Sequence, residues 1–164
     1  MRRTWSSGFT LIEILVVVAI VGVLSMLAIV NYQTALLRTK QKRTMADMRA
    51  IAVAWETRAG DVRQYNAAGF TLPAVTPAYA EVNSILAPSY IRTVPLNDGW
   101  GRPFSFSLEF AVGSTSPSNE YVIRSAGRDG AFDGTTYTPG PTDDPNVDIV
   151  YSAGTFIVFP KSGQ

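Results

Sequence analysis

Residues 9–30 form one unbroken apolar run whose single charge is Glu13. No other feature of the chain limits its fold as strongly. A run of this length covers about 33 Å as a helix, enough to cross the hydrocarbon core of a bilayer. Ahead of it stands a short leader with Arg2, Arg3 and no acid. Positive charge before an apolar run keeps that end cytoplasmic. A secretory signal peptide fits less well. The run is long, and Asn31-Tyr32-Gln33 continues a helical pattern without a small-residue cleavage site. A plain membrane anchor accounts for all of this except Glu13. A carboxylate several residues into a spanning segment costs on the order of a few kcal/mol. It persists where something pairs with it.

Composition removes several functions. The 164 residues include no cysteine and no histidine. No disulfide framework or thiolate metal site is available, and the usual proton shuttle is missing. A metal here would be a hard, oxygen-bound cation. The formal net charge of +1 argues against nucleic-acid binding through bulk electrostatics. Charge is unevenly spread: residues 31–63 carry seven basic and three acidic groups, residues 98–164 four basic and eight acidic.

The segment Gly8-Phe9-Thr10-Leu11-Ile12-Glu13, followed by the apolar run, resembles the N-terminal signature of the type IV pilin and pseudopilin family. The resemblance implies cleavage between Gly8 and Phe9 by a prepilin peptidase and N-methylation of Phe9. It also implies assembly of the apolar helix into a filament core. The new amine would be costly alone in that core. Glu13 of a neighbouring subunit would pair with it and set axial register. Family members commonly carry a glycine and then a proline inside this helix. Gly22 stands at the first position and Val30 at the second. Without the proline a continuous helix is expected.

From residue 31 to Ala59 the pattern remains helical. Met45, Met48, Ala52, Trp55 and Ala59 recur at three- and four-residue steps and predict an apolar stripe facing a core. Arg38, Lys40, Lys42 and Arg43 form a basic cluster, either a solvated face or a contact for acidic lipid or a neighbouring subunit. Gly60 is the expected stop. A loop is expected over 60–78 and a short helix over Tyr79–Leu86, with Pro88 behind it.

Asp98-Gly99-Trp100-Gly101-Arg102-Pro103 is dense turn chemistry around one large aromatic. A tight turn pinned by a buried Trp100 is expected. Asp98, Trp100, Gly101 and Pro103 also resemble the segment before the sheet in major pseudopilins of type II secretion systems. Beyond it, Phe104–Phe110 and Glu120–Ser125 read as strands of an antiparallel hairpin around a 113–119 turn. Ile149–Tyr151 and Thr155–Phe159 read as a final hairpin around Ser152-Ala153-Gly154.

Between these hairpins lie Asp129, Asp133, Asp143, Asp144 and Asp148 with interspersed glycines. A solvated acidic loop is one reading. The spacing is not that of an EF-hand. The Ser125-x-Gly127-x-Asp129-Gly130 element and the Asp148-Ile149 end resemble the calcium-holding loop of the same pseudopilins. That resemblance implies a structural Ca²⁺ on Asp129, Asp144 and Asp148, with Asp143 and Asp133 as further candidates. Thr135–Pro141 reads as an insertion.

These readings lead to an α+β, pilin-like chain: a leader (1–8), a membrane and filament-core helix (9–30), an amphipathic spine (31–60) and a globular domain (61–164) with an acidic loop (125–149). The long helix is expected to pack on a small antiparallel sheet. No active site is expected. The family implies an inner-membrane subunit with a periplasmic domain, a homopolymer. Its partners would be minor pseudopilins, prepilin peptidase and the inner-membrane assembly platform. A type IV pilin of surface fibres and a non-polymerising, membrane-anchored calcium module are the alternatives.

Overall fold

A computed structural model describes residues 8–62, 76–108, 120–152 and 154–161. The leader residues 1–7, most of the expected 60–78 loop, Glu109, Phe110, the 113–119 turn and Ala153 lie outside the described residues.

Helix α1 spans Leu11–Val62. Thr10 precedes it, and the Glu13 amide donates to Thr10 Oγ1 at 3.3 Å, the bond of a helix N-cap. Neither Gly22 nor Val30 interrupts the helix. Gly60 does not stop it either. An exposed glycine inside a helix costs only about 1 kcal/mol against alanine, and Gly60 has open space around it. The chain divides into two compact units, residues 1–38 and 39–164.

In the first unit every described residue of the apolar run is exposed. Its most apolar window has mean hydropathy 2.8, and α1 is long and apolar enough to cross a membrane.

The second unit is an α+β domain. Short helix α2 covers Tyr79–Leu86. Five strands follow: β1 (Ser105–Leu108), β2 (Tyr121–Ser125), β3 (Gly140–Thr142), β4 (Ile149–Ser152) and β5 (Thr155–Pro160). They form one sheet in the order β1-β2-β4-β5-β3. The β1–β2, β2–β4 and β4–β5 pairs are antiparallel. The β3–β5 pair is parallel, so the sheet is not wholly antiparallel. Gly140-Pro141-Thr142 carries no strand pattern, and Pro141 is tolerated because β3 is an edge. The expected final hairpin lies inside the sheet: β4 pairs with both β2 and β5.

The spine stripe is buried as its spacing predicts. Met48, Ala52, Trp55 and Ala59 are inside, Met45 is half-buried, and Ile51 is fully buried as well. Trp55 stacks on Tyr121 with ring centroids 5.3 Å apart and tilts against Phe106 at 5.9 Å. Val82 and Leu86 of α2 and Val94 join the same core, as do Ile123, Ile149 and Tyr151. The opposite sheet face holds a second cluster of Val122, Tyr137, Val150, Ile157 and Val158. Strand β2 is therefore buried on both faces. The alternation in β1 suggests one wet face, but Ser107 is also buried.

Candidate functional site

Three sequence features carry a candidate role: the start of α1, the turn around Asp98, and the acidic loop between β2 and β4.

At the start of α1, Gly8, Phe9 and Glu13 are all exposed. Glu13 occupies the third helical position after Thr10. There a negative side chain is favoured by the helix dipole and by the free amides of the first turn. Local helix chemistry thus supplies one reason for an acid here. The residues around it supply no cation: from Phe9 to Ala35 there is no basic side chain.

In the second feature, the expected pin is replaced by another residue. Trp100 is only half-buried, and its Nε1 has no hydrogen-bond partner. The buried residue is Asp98, 2% exposed. Its Oδ1 accepts from the Trp100 and Arg102 amides, both at 2.9 Å, and its Oδ2 accepts from Ser125 Oγ at 2.6 Å. One carboxylate thereby fastens the turn to the end of β2. The turn also docks on α1. The Gly99 amide donates to buried Thr44 Oγ1 at 2.9 Å, and Thr44 Oγ1 donates to the Lys40 carbonyl at 2.9 Å. A Cβ on Gly99 would lie 2.2 Å from that carbonyl oxygen, so only glycine fits. Gly101 has φ +83°, a left-handed turn conformation that favours glycine.

The acidic loop is held by its own backbone. The Arg128 amide donates to the Pro145 carbonyl at 3.0 Å, and the Gly130 amide to the Ala126 carbonyl at 3.1 Å. Gly127, at φ +60°, passes so close to Asn146 that a Cβ would lie 2.7 Å from its carbonyl oxygen. The aspartates do not gather. Asp129 is exposed, and its Oδ1 caps the Ala131 amide at 3.0 Å. Asp143 pairs with Lys161 Nζ at 3.1 Å. Asp144 Oδ1 caps the Asn146 amide at 2.9 Å. Asp133 and Asp148 exchange reciprocal bonds, each amide donating to the other's Oδ2 at 3.1 and 3.0 Å.

Of the loop's aspartates, Asp148 alone is fully buried. Its Oδ2 also accepts from the Tyr137 hydroxyl at 2.5 Å and faces Arg124 Nη1 at 4.0 Å. Burial pushes its carboxyl above the ordinary range, against the lowering effect of Tyr137, the Asp133 amide and Arg124. Burial and the Asp148 carboxylate push the Tyr137 phenol up to about 12, so it stays a neutral donor. A cavity of about 410 Å³ opens beside Tyr137, lined also by Asp133, Thr142, Val147 and Val158.

Calcium takes six to eight oxygens at about 2.3–2.6 Å. Among the described residues no three acidic side chains come close enough to share an ion. Asp129, Asp143, Asp144 and Asp148 therefore do not assemble as the expected ligand set. Asp148 Oδ1 is a buried oxygen without a hydrogen bond, but a guanidinium already faces the same carboxylate. Sequence reasoning missed Arg124, Tyr137 and Thr44. The signal for Arg124 was a charge inside an apolar strand pattern, Tyr121-Val122-Ile123-Arg124-Ser125.

Residues 6–29 match the prokaryotic N-terminal methylation motif family. A type II secretion system core protein G from Pseudomonas aeruginosa is 29% identical over 81% of this chain and 93% of its own length. Another, from Aeromonas hydrophila, is 30% identical over 63% of this chain and 74% of its own. The chain belongs to the type IV pilin and pseudopilin family. The chain is also 40% identical to a type IV major fimbrial protein FimA of Dichelobacter nodosus, over about a third of either chain (34% and 35%). No solved structure matches it. These relatives are named as a secretion-system core protein and as fimbrial proteins. The chain's motif and its exposed apolar helix suit a membrane-anchored, pilin-like subunit.

Proposed function

We propose that this chain is a structural subunit of a type II secretion pseudopilus. A prepilin peptidase cuts it between Gly8 and Phe9 and methylates the Phe9 amine. The helix from Phe9 to Val30 holds it in the inner membrane, with the leader cytoplasmic and the residue 39–164 domain periplasmic. The assembly platform, together with minor pseudopilins, then extracts it into a homopolymer whose growth drives protein export.

The observation that carries this reading is the exposed apolar run 9–30, helical from Leu11, with one carboxylate at its start. A domain with a complete core of its own has no need of such a helix. Burial of that surface against lipid, then against copies of itself, gives it a use. Within a filament Glu13 accepts the charge of a neighbour's methylated amine, which offsets the desolvation of both groups.

Mass spectrometry of the protein isolated from its native membrane tests the first step. A mature chain that starts at methylated Phe9 is expected. An intact Met1, or a cut elsewhere, sinks the proposal. Deleting the gene and measuring export of secreted enzymes beside surface fibres tests the second. Loss of export with fibres intact supports a pseudopilus. Loss of fibres with export intact would make the chain a type IV pilin. No loss of either, with a processed chain that stays monomeric, would make it a non-polymerising anchored module.

A further inference from the structure

The connection from Ala126 to Asp148 carries five aspartates and one arginine, Arg128. Like charges this dense favour an open loop unless a cation closes it. The structure holds such a cation, and it comes from the chain. Arg124 projects from β2 and is 9% exposed. Its Nη1 donates to the Gly134 carbonyl at 2.6 Å and to the Tyr137 hydroxyl at 2.7 Å, and it stands 4.0 Å from Asp148 Oδ2. A backbone carbonyl and a carboxylate are the kinds of hard oxygen that surround a bound divalent cation. The ring of Phe132 covers the guanidinium, with Cζ 3.9 Å from the ring centroid. Tyr137 links the set by donating in turn to Asp148.

Two further cations reach the loop from outside. Arg102 Nη2 donates to the Arg128 carbonyl at 3.0 Å, and its guanidinium fills the space over Gly130, where a Cβ would lie 0.8 Å from Nη1. Lys161 pairs with Asp143. Both are peripheral, whereas Arg124 meets the loop's one buried carboxylate.

We propose that the Arg124 guanidinium is the built-in cation of this loop, in the structural role a calcium ion would fill, so that the folded domain does not depend on a divalent metal. Arg124 is a positioning residue. It acts through Asp148, Tyr137 and the Gly134 carbonyl to fix the loop against β2 and β4. The proposal stands whether or not the chain polymerises.

The test uses the full chain in detergent micelles, melted with about 1 mM CaCl2, a concentration suited to extracellular calcium modules, and again with EGTA. For the wild type the two melting temperatures should agree. Arg124→Met should lower Tm by about 10 °C, the scale for an uncompensated buried charge, and should speed tryptic cleavage after Arg128. Arg124→Lys should recover part of that loss, because it restores charge but not the planar guanidinium lying over the Phe132 ring. In an Asp148→Asn background, Arg124→Met should cost less than it does alone. A wild-type Tm that climbs by several degrees with calcium overturns the proposal, as does an Arg124→Met protein that melts like wild type. Should Arg124→Met fail to fold, the wild-type calcium comparison and Arg124→Lys decide the matter alone. A calcium-insensitive wild type with a destabilised lysine variant supports the proposal.

Discussion

The first and last thirds of helix α1 share a backbone conformation and differ in almost everything else. From Leu11 to Val30 the apolar side chains point all round the helix, and all are exposed. From Met48 to Ala59 they are confined to one stripe, which is buried against α2 and the sheet. The first region therefore has surface that only other molecules can cover. The second has satisfied itself, and what it shows outward, such as Val53 at 59% exposure, is isolated. Helix formation alone says nothing about the partner. The breadth of the apolar face does: all round means lipid or a bundle, a stripe means one neighbour.

Damage to one region should leave the other intact. Glu13→Ala should reduce filament yield by about tenfold or more, equivalent to a loss of about 1.4 kcal/mol or more per contact, while the melting of the full chain in micelles stays unchanged. Normal filaments would remove the pairing role of Glu13 and leave it as a helix-start residue. Within the second region, Trp55→Ala should destabilise the domain by about 4 kcal/mol. Val53→Ala, two residues along the same helix, should stay within about 0.5 kcal/mol. Equal effects in chemical denaturation would mean that the stripe is not what holds the spine.

Smaller effects should separate the turn from the loop. Asp98→Ala strips acceptors from two amides and a buried hydroxyl, and should cost about 3 kcal/mol. Gly99→Ala forces the turn away from the Lys40 carbonyl, and should cost about 2 kcal/mol. If Asp98→Ala melts like wild type, that carboxylate does not fasten the turn to β2; if Gly99→Ala does, the turn is not docked on α1 through Thr44. The smallest effect concerns pH. The Asp148 carboxyl is raised by burial, so its contribution to stability is fully present below its ordinary value of 3.8 and is lost as pH rises through the raised folded value. Asp148→Asn should flatten that part of the stability profile. A wild-type profile that gains stability over the same range relative to the variant would reverse the sign and count against a desolvated carboxylate.

Much of the architecture could be read in advance. The bounds of α2, the buried stripe at Met48, Ala52 and Trp55, and the pairing of β1 with β2 all follow from local periodicity. The helix stop did not follow, because Gly60 is weak punctuation where nothing crowds the helix. Strand β3 was hidden as well. Gly140-Pro141-Thr142 becomes a strand only because β5 offers it an edge. At the turn, an aromatic was the natural choice for the buried residue, yet Asp98 took that place. Burial of a carboxylate depends on three donors, one of which, Ser125, is distant in sequence.

Local order along the chain was thus enough for the membrane run, its lone carboxylate, the spine and the strand patterns. Each rests on side-chain spacing within a few residues, and spacing is written directly in the sequence. Which charges meet was decided in three dimensions. Five aspartates in one loop look alike along the chain. Only the fold carries Asp148 under Tyr137 and brings Arg124 to face it. The stability of a buried charge depends on the oxygens and donors within a few ångströms of it, and those come from segments that the sequence holds apart.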